Sequence, residues 1–165
     1  MNMKFTGIGS RSLPMEYKFV LKKCGTLLKK MGYLCRTGTA TGSDALFREL
    51  FKNEKLEVYG PEDAKEWCFK EILNHMPSDR MGFDTMKENT QKLLARNMMQ
   101  ILGENGDDPV QFVLCYAPSL NYKDSSSGGT GYAIRCALHH NIPVFNIFSD
   151  EDGKRFIKFL KDIKD

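Results

Sequence analysis

Several things are scarce in this chain, and each scarcity excludes something. Lys and Arg number 24 against 21 Asp and Glu, a formal net charge of only +3. Non-specific nucleic-acid binding draws on many phosphate neutralisations, so charge alone does not argue for it. The five cysteines, Cys24, Cys35, Cys68, Cys115 and Cys136, are an odd number, lie far apart and form no CxxC pair. Four of them stand among apolar neighbours, where a thiol packs as a small hydrophobe, which reads as a reducing cytoplasm without disulfides. His75, His139 and His140 do not make metal-ligand spacing with any cysteine, so neither a zinc site nor another cofactor is expected. No stretch is apolar enough to span a bilayer, and Met1-Asn2-Met3-Lys4 runs into a strand without a signal-peptide core, which implies a cytoplasmic protein with no membrane partner. Internal repeats and long linkers are also missing. The 165 residues, 41% hydrophobic and 27% charged, therefore read as one domain with a proper core.

What is present is an alternation of strand and helix patterns. "KFTGIGSRS" reads as a strand ending in a Gly loop, followed by Pro14 at a first helical turn and an apolar helical series Tyr17, Val20, Leu21, Cys24, Leu27, Leu28 and Met31 that ends at Gly32. "YLCRTG" is a second strand, and in the polar loop "TATGSD" either Ser43 or Asp44 is placed to cap the helix "ALFRELFKN". "LEVYGP" is a third strand. Residues 62–83 read as an irregular insertion, with a short helical piece around Trp67, Phe69, Ile72 and Leu73 broken by Pro77 and Gly82. One long helix is expected from Asp84 to Gly103, with Leu94, Asn97, Met98 and Ile101 on one side. "VQFVLCY" is a nearly continuous apolar run, as in a strand covered on both faces. "GYAIRCALHHN" follows as a helix, "IPVFNIF" as a strand, and "DEDGKRFIKFLKDIKD" as a closing helix with Phe156, Phe159, Leu160 and Ile163 inward. This order predicts an α/β, Rossmann-like open parallel sheet with helices on both faces.

In such sheets ligands bind beyond the carboxyl ends of the strands, near the point where strand order reverses. Three Gly- and Ser/Thr-rich loops fall on that edge: "GIGSRS", "RTGTATGSD" and "APSLNYKDSSSGGTG". Gly9 lets backbone approach closely, while Ser10 and Arg11 offer a hydroxyl and a fork-shaped cation suited to phosphate or carboxylate. Thr39, Gly42, Ser43 and Asp44 continue the pattern. Ser127, Gly128, Gly129, Thr130 and Gly131 bring backbone N–H groups to a helix N-terminus, where anions are favoured. Arg96 and Asn97 are polar residues on an otherwise apolar helix. They read either as a solvated cation with a satisfied core amide, or as a pair reaching the pocket, Arg96 on a phosphate and Asn97 on ribose or base. Of Trp67, Tyr116 and Tyr132, Tyr116 is the preferred base-stacking ring, because it ends a strand at the ligand edge.

The segments "GIGSR", "RTGTATGSDALF", "LARNMMQILG", "GGTGYAIRCA" and "IPVF" occur in an order that resembles the SLOG superfamily, named for the DNA-processing protein A and Lonely Guy proteins, and in particular its small stand-alone members often carried by phages. The resemblance implies a Rossmann-like fold that binds nucleotides or nucleotide-derived molecules, in a dimer or larger assembly, in the host cytoplasm if the chain is phage-encoded. Within the superfamily some members cleave N-glycosidic bonds, some bind single-stranded DNA, and some sense or sequester signalling nucleotides. Lonely Guy phosphoribohydrolases carry a pattern P-G-G-x-G-T-x-x-E whose glutamate is catalytic. Here Ser127 stands at the proline, Gly128, Gly129 and Gly131 match, Tyr132 replaces the threonine and Arg135 occupies the glutamate position. The expectation is a non-catalytic binder of an ADP-ribose-like or cyclic nucleotide signal. The alternative is an N-glycoside hydrolase or transferase using Asp44, whose other role would be to cap the following helix. A second alternative, a single-stranded DNA module, rests on Lys154, Arg155, Lys158, Lys161 and Lys164, which alternate with acidic residues as a solvated face does.

Overall fold

The structure, a computed structural model, describes residues 2–75, 83–118 and 128–164. Five strands, β1 (Lys4–Gly9), β2 (Leu34–Gly38), β3 (Leu56–Tyr59), β4 (Phe112–Tyr116) and β5 (Val144–Asn146), form one sheet in the order β3-β2-β1-β4-β5. Every pairing is parallel, so each connection must cross over a face. Helices α1 (Met15–Lys30), α2 (Ser43–Leu50) and α7 (Asp150–Lys164) contribute to the core cluster on one face. Helices α3 (Glu66–His75), α4 (Glu88–Ala95), α5 (Asn97–Leu102) and α6 (Gly128–His139) contribute to the cluster on the other. The Rossmann-like α/β reading of the sequence holds.

Alternation along β4 shows how both layers are fed from one strand. Phe112, Leu114 and Tyr116 enter the α1/α2/α7 core, while Val113, Cys115 and the following Ala117 enter the α3–α6 core. Phe112 anchors the first, its ring stacked on Phe5 at 5.5 Å and edge-on to Phe145 at 6.0 Å. The helical stripe of α1 is narrower than the sequence pattern suggests. Leu21 and Leu28 are buried, but Val20 and Leu27 are exposed together with Met15 and Phe19.

The short helical piece expected around Trp67, Phe69, Ile72 and Leu73 is α3, ten residues long with Cys68 and Ile72 on a buried apolar face, and a 3-10 turn at Pro61–Asp63 precedes it; the expected breaks at Pro77 and Gly82 fall in residues 76–82, outside the described residues. The long helix expected from Asp84 to Gly103, by contrast, is divided. Phe83–Thr85 is a 3-10 turn, α4 ends at Ala95, and α5 begins at Asn97 after a turn at Arg96. No proline or glycine stands at the break. Its carbonyls are taken instead by the side chains that follow: Arg96 Nε donates to Leu93 O (3.1 Å), and Asn97 Nδ2 to Leu93 O (3.2 Å) and Leu94 O (2.9 Å).

Arg36, 1% exposed, donates from Nε to Glu57 Oε1 (3.0 Å), from Nη1 to Asp108 O (2.5 Å) and from Nη2 to Asp108 Oδ2 (2.7 Å), and Lys4 Nζ meets the same carboxylate oxygen at 2.6 Å. The Lys4 hydrogen bond and the Arg36 charge hold the Asp108 carboxyl below its ordinary value of 3.8, against some desolvation. A carboxyl depressed in the folded state stabilises fully above its unfolded pKa and loses that contribution as pH falls through the folded one. Urea titrations between neutral pH and pH about 3 should therefore show a loss of stability beginning near the ordinary carboxylate range. Asp108→Asn should be less stable at neutral pH and have a shallower acid limb.

Candidate functional site

The sheet's strand order reverses between β1 and β4, and a cleft of about 470 Å³ opens at their carboxyl ends. Its volume and position are those of a small-molecule site in an open α/β fold. The first loop contributes Ile8, Gly9, Ser10 and Arg11, and the second contributes Ala40 and Asp44. The α4–α5 break contributes Leu93, Leu94, Arg96, Asn97 and Gln100, and the β4–α6 side contributes Ala117, Pro118, Gly129, Thr130 and Gly131.

Loop 1 is shaped by what touches its backbone. Ser10 N–H donates to Tyr116 O (2.8 Å), and Ser10 O accepts from both Ser43 N–H (3.1 Å) and Ser43 Oγ (2.9 Å). A Cβ on Gly9 would lie 2.5 Å from Tyr116 O, so this crossing admits only glycine. Gly42 has φ 70°, and a Cβ there would meet Arg11 O at 2.2 Å. Gly42 and Ser43 thus clasp loop 1 to α2 and do not line the cleft. Gly42, not Ser43 or Asp44, is the N-cap residue of α2, and no side chain caps it. On the far side, Asn146 fixes the end of β4: its Oδ1 accepts from Ala117 N–H (2.9 Å) and its Nδ2 donates to Ala117 O (2.8 Å).

The cleft floor is built of charge. Asp44 and Arg96 are each 4% exposed. Arg96 Nη1 donates to Tyr59 O (2.7 Å) and, at longer range, to Thr39 Oγ1 (3.4 Å); Asp44 Oδ2 accepts from Ala40 N–H (3.3 Å). Burial raises the Asp44 carboxyl above its usual value, opposed by the Arg96 charge and the Ala40 N–H. Burial likewise lowers Arg96, opposed by Asp44. Arg48 Nη1 ties the loop down through Gly38 O (2.6 Å) and Ala40 O (2.8 Å). A Cβ on Gly38 would come within 2.5 Å of Arg96 Nη1 and Asp44 Oδ2 and 2.6 Å of Gln100 Nε2. Three polar groups therefore converge over a residue that has no side chain.

Other sequence candidates fall elsewhere. Tyr116 does not line the cleft: strand alternation turns its ring into the opposite core, against Tyr17 (4.6 Å) and Phe148 (6.0 Å), and only its carbonyl serves the site. Trp67 Nε1 donates to Glu104 O (2.9 Å), and Tyr132 is buried beneath the Arg135 guanidinium at 4.9 Å from its ring. Neither these residues nor Arg135 line the cleft. Thr39 is exposed beside it. Gly128 starts the first turn of α6, whose leading N–H groups have no acceptor within the helix, while Ser127 lies outside the described residues. Arg11 is exposed and makes no ion pair among the described residues.

Gln100 is the residue sequence reasoning missed. It is 1% exposed, lines the cleft, and among the described residues neither amide atom has a hydrogen-bond partner. The only signal in the sequence is a glutamine at the helical spacing of buried Leu, Met and Ile. No family model, curated protein or solved structure matches the chain, so the site is read from its own chemistry.

A buried amide with nothing to bond costs about 1–3 kcal/mol in desolvation. Gln100→Leu, similar in size, should leave the urea-unfolding free energy of the ligand-free protein unchanged or raise it. If the amide were hydrogen-bonded within the core, the same change would destabilise.

Proposed function

We propose that the chain binds a small anionic, nucleotide-derived molecule in the β1/β4 cleft and holds it without turning it over. The observation that carries the reading is the convergence on one cleft of the Arg11 and Arg96 cations, the first-turn N–H groups of α6 and the unpaired Gln100 amide, with Asp44 the one carboxylate among the described lining residues. Helix N–H groups and a fork-shaped cation suit a phosphate. Asp44 suits ribose hydroxyls, and Gln100 offers a donor and an acceptor to a planar edge. The resemblance to the SLOG superfamily supports the same ligand class, an ADP-ribose-like or cyclic nucleotide signal, and a homo-oligomer. Exposed Met15, Phe19, Val20 and Leu27 on α1 offer a surface for such an assembly.

Holding without cutting is supported by the residue that replaces the catalytic glutamate of the resemblance. N-glycoside cleavage needs a carboxylate to stabilise an oxocarbenium-like centre or to protonate the leaving base. The position of the Lonely Guy glutamate carries Arg135, which stacks on Tyr132 away from the cleft. One observation favours the hydrolytic alternative: Asp44 is buried in the cleft and its carboxyl is raised, as in a general acid.

Calorimetric titration with AMP, NAD, ADP-ribose and cyclic AMP, preceded by native mass spectrometry for a co-purified nucleotide, should find at least one binder. Arg11→Ala, which breaks no side-chain hydrogen bond or ion pair among the described residues, should weaken that binder by about 1.5–3 kcal/mol, and Arg11→Lys should recover only part of the loss. Unchanged affinity in Arg11→Ala would remove the first loop from the site, and a preference for single-stranded DNA with a steep salt dependence would replace the reading altogether.

Incubating the same compounds with the protein for hours should release no free base or nicotinamide. Release that disappears in a folded Asp44→Asn variant would make the protein a hydrolase with Asp44 as its acid.

A further inference from the structure

Away from the cleft, α3 and α6 bring together three side chains of metal-ligand type. Cys136 and His140 stand four residues apart, His140 just past the end of α6, so they share one side of that helix. Glu71 faces them from α3. The donor atoms of Glu71, Cys136 and His140 all lie within 4.8 Å of one another, with His140 Nε2 2.5 Å from Glu71 Oε1. Cys136 is 1% exposed, whereas Glu71 and His140 rise to the surface, so the group has a buried sulfur end and an open nitrogen and oxygen end. Cys136 and His140 are themselves spaced as a C-x3-H pair, which corrects the sequence reading that no histidine stands at ligand spacing from a cysteine; the third ligand, Glu71, comes from a different helix, so no window of sequence contains the whole set.

We propose that Glu71, Cys136 and His140 bind a zinc ion that pins α3 to α6. The donor set of one thiolate, one imidazole and one carboxylate is characteristic of Zn²⁺, which binds sulfur at about 2.3 Å and nitrogen or oxygen at about 2.0–2.2 Å. Tetrahedral bonds of those lengths separate the donors by about 3.3–3.8 Å, so closing the cluster needs small side-chain adjustments, the histidine and carboxylate parting to admit the ion. On binding, the Cys136 thiol gives its proton to solvent, and any proton held between His140 and Glu71 leaves as well. The three protein ligands leave the fourth tetrahedral position to a water at the open end of the cluster. The ion would tie down α3, which immediately precedes residues 76–82, and would leave the cleft residues untouched.

The test uses the full chain, stripped with chelator and titrated with Zn²⁺ against a chromophoric competitor. One equivalent should bind with a dissociation constant below micromolar, and thermal unfolding should move upward with added Zn²⁺. His140→Ala, a change at the surface that spares the fold by circular dichroism, should weaken binding at least 100-fold, Cys136→Ser should do the same, and Glu71→Gln about 10-fold. Cys24→Ser, on the other face of the sheet, should have no effect. Substitution with Co²⁺ should give a thiolate charge-transfer band that is lost in Cys136→Ser. Failure to take up one equivalent, or uptake unaltered in His140→Ala, would overturn the site.

Discussion

The Arg96 guanidinium is a cation brought into an interior, and the arrangement of the cleft follows from neutralising it. An unpaired buried charge costs several kcal/mol, so the chain must surround it with acceptors. The Leu93 carbonyl comes from the broken helix, the Tyr59 carbonyl from the end of β3, and the Asp44 charge from the start of α2. Those partners belong to separate elements, and satisfying one side chain therefore sets α2, β3 and the α4–α5 break in fixed relation. Glycine at position 38 is a consequence, since any Cβ would intrude where the charges meet. The pair is also incomplete as a neutral unit, because Arg11 adds a second positive charge at the rim with no acidic partner among the described residues.

How legible this was depends on whether each feature is local. Strand and loop positions could be read directly: "VQFVLCY" is apolar throughout because β4 is covered on both faces, and loops placed at carboxyl ends need glycine where backbones cross, as at Gly9 and Gly42. The same double coverage hid the direction of Tyr116. In a strand apolar on both sides, alternation of polarity gives no parity, and the ring could be assigned to the ligand edge when it belongs to the opposite core. The break at Arg96 was hidden for another reason. Helix breaks are read from Pro and Gly, whereas this one is closed by the side chains of Arg96 and Asn97 capping the carbonyls behind them. A polar pair that looked like ligand-binding residues interrupting a helix is in part what makes the interruption possible.

Gln100 and the α3–α6 cluster illustrate a third limit. A glutamine in a helix is unremarkable until the helix is seen to be buried on that side, and a cysteine and histidine on one helix are unremarkable until a carboxylate arrives from another. Both depend on packing that no window of sequence contains. Both are also polar features kept in an otherwise apolar layer, where local consistency would favour leucine, and such inconsistencies mark places where something other than stability shapes the residue.

The strand order has a consequence in time as well as space. β1 is synthesised before the other four strands, yet it lies in the middle of the sheet and its second neighbour is β4, with Phe5 opposite Phe112. Until residues beyond 112 are available, the β1–β2–β3 half presents a bare edge, and Phe5 lacks the ring it stacks on. Long-range parallel pairing of this kind is slow because the loop entropy is lost before contacts compensate it. The cleft straddles this late seam, one wall on the loop after β1 and the other on the segment after β4. The cleft is therefore complete only once β4 has paired with β1: a chain truncated or stalled before that point carries the Gly-Ser-Arg loop but lacks the second wall.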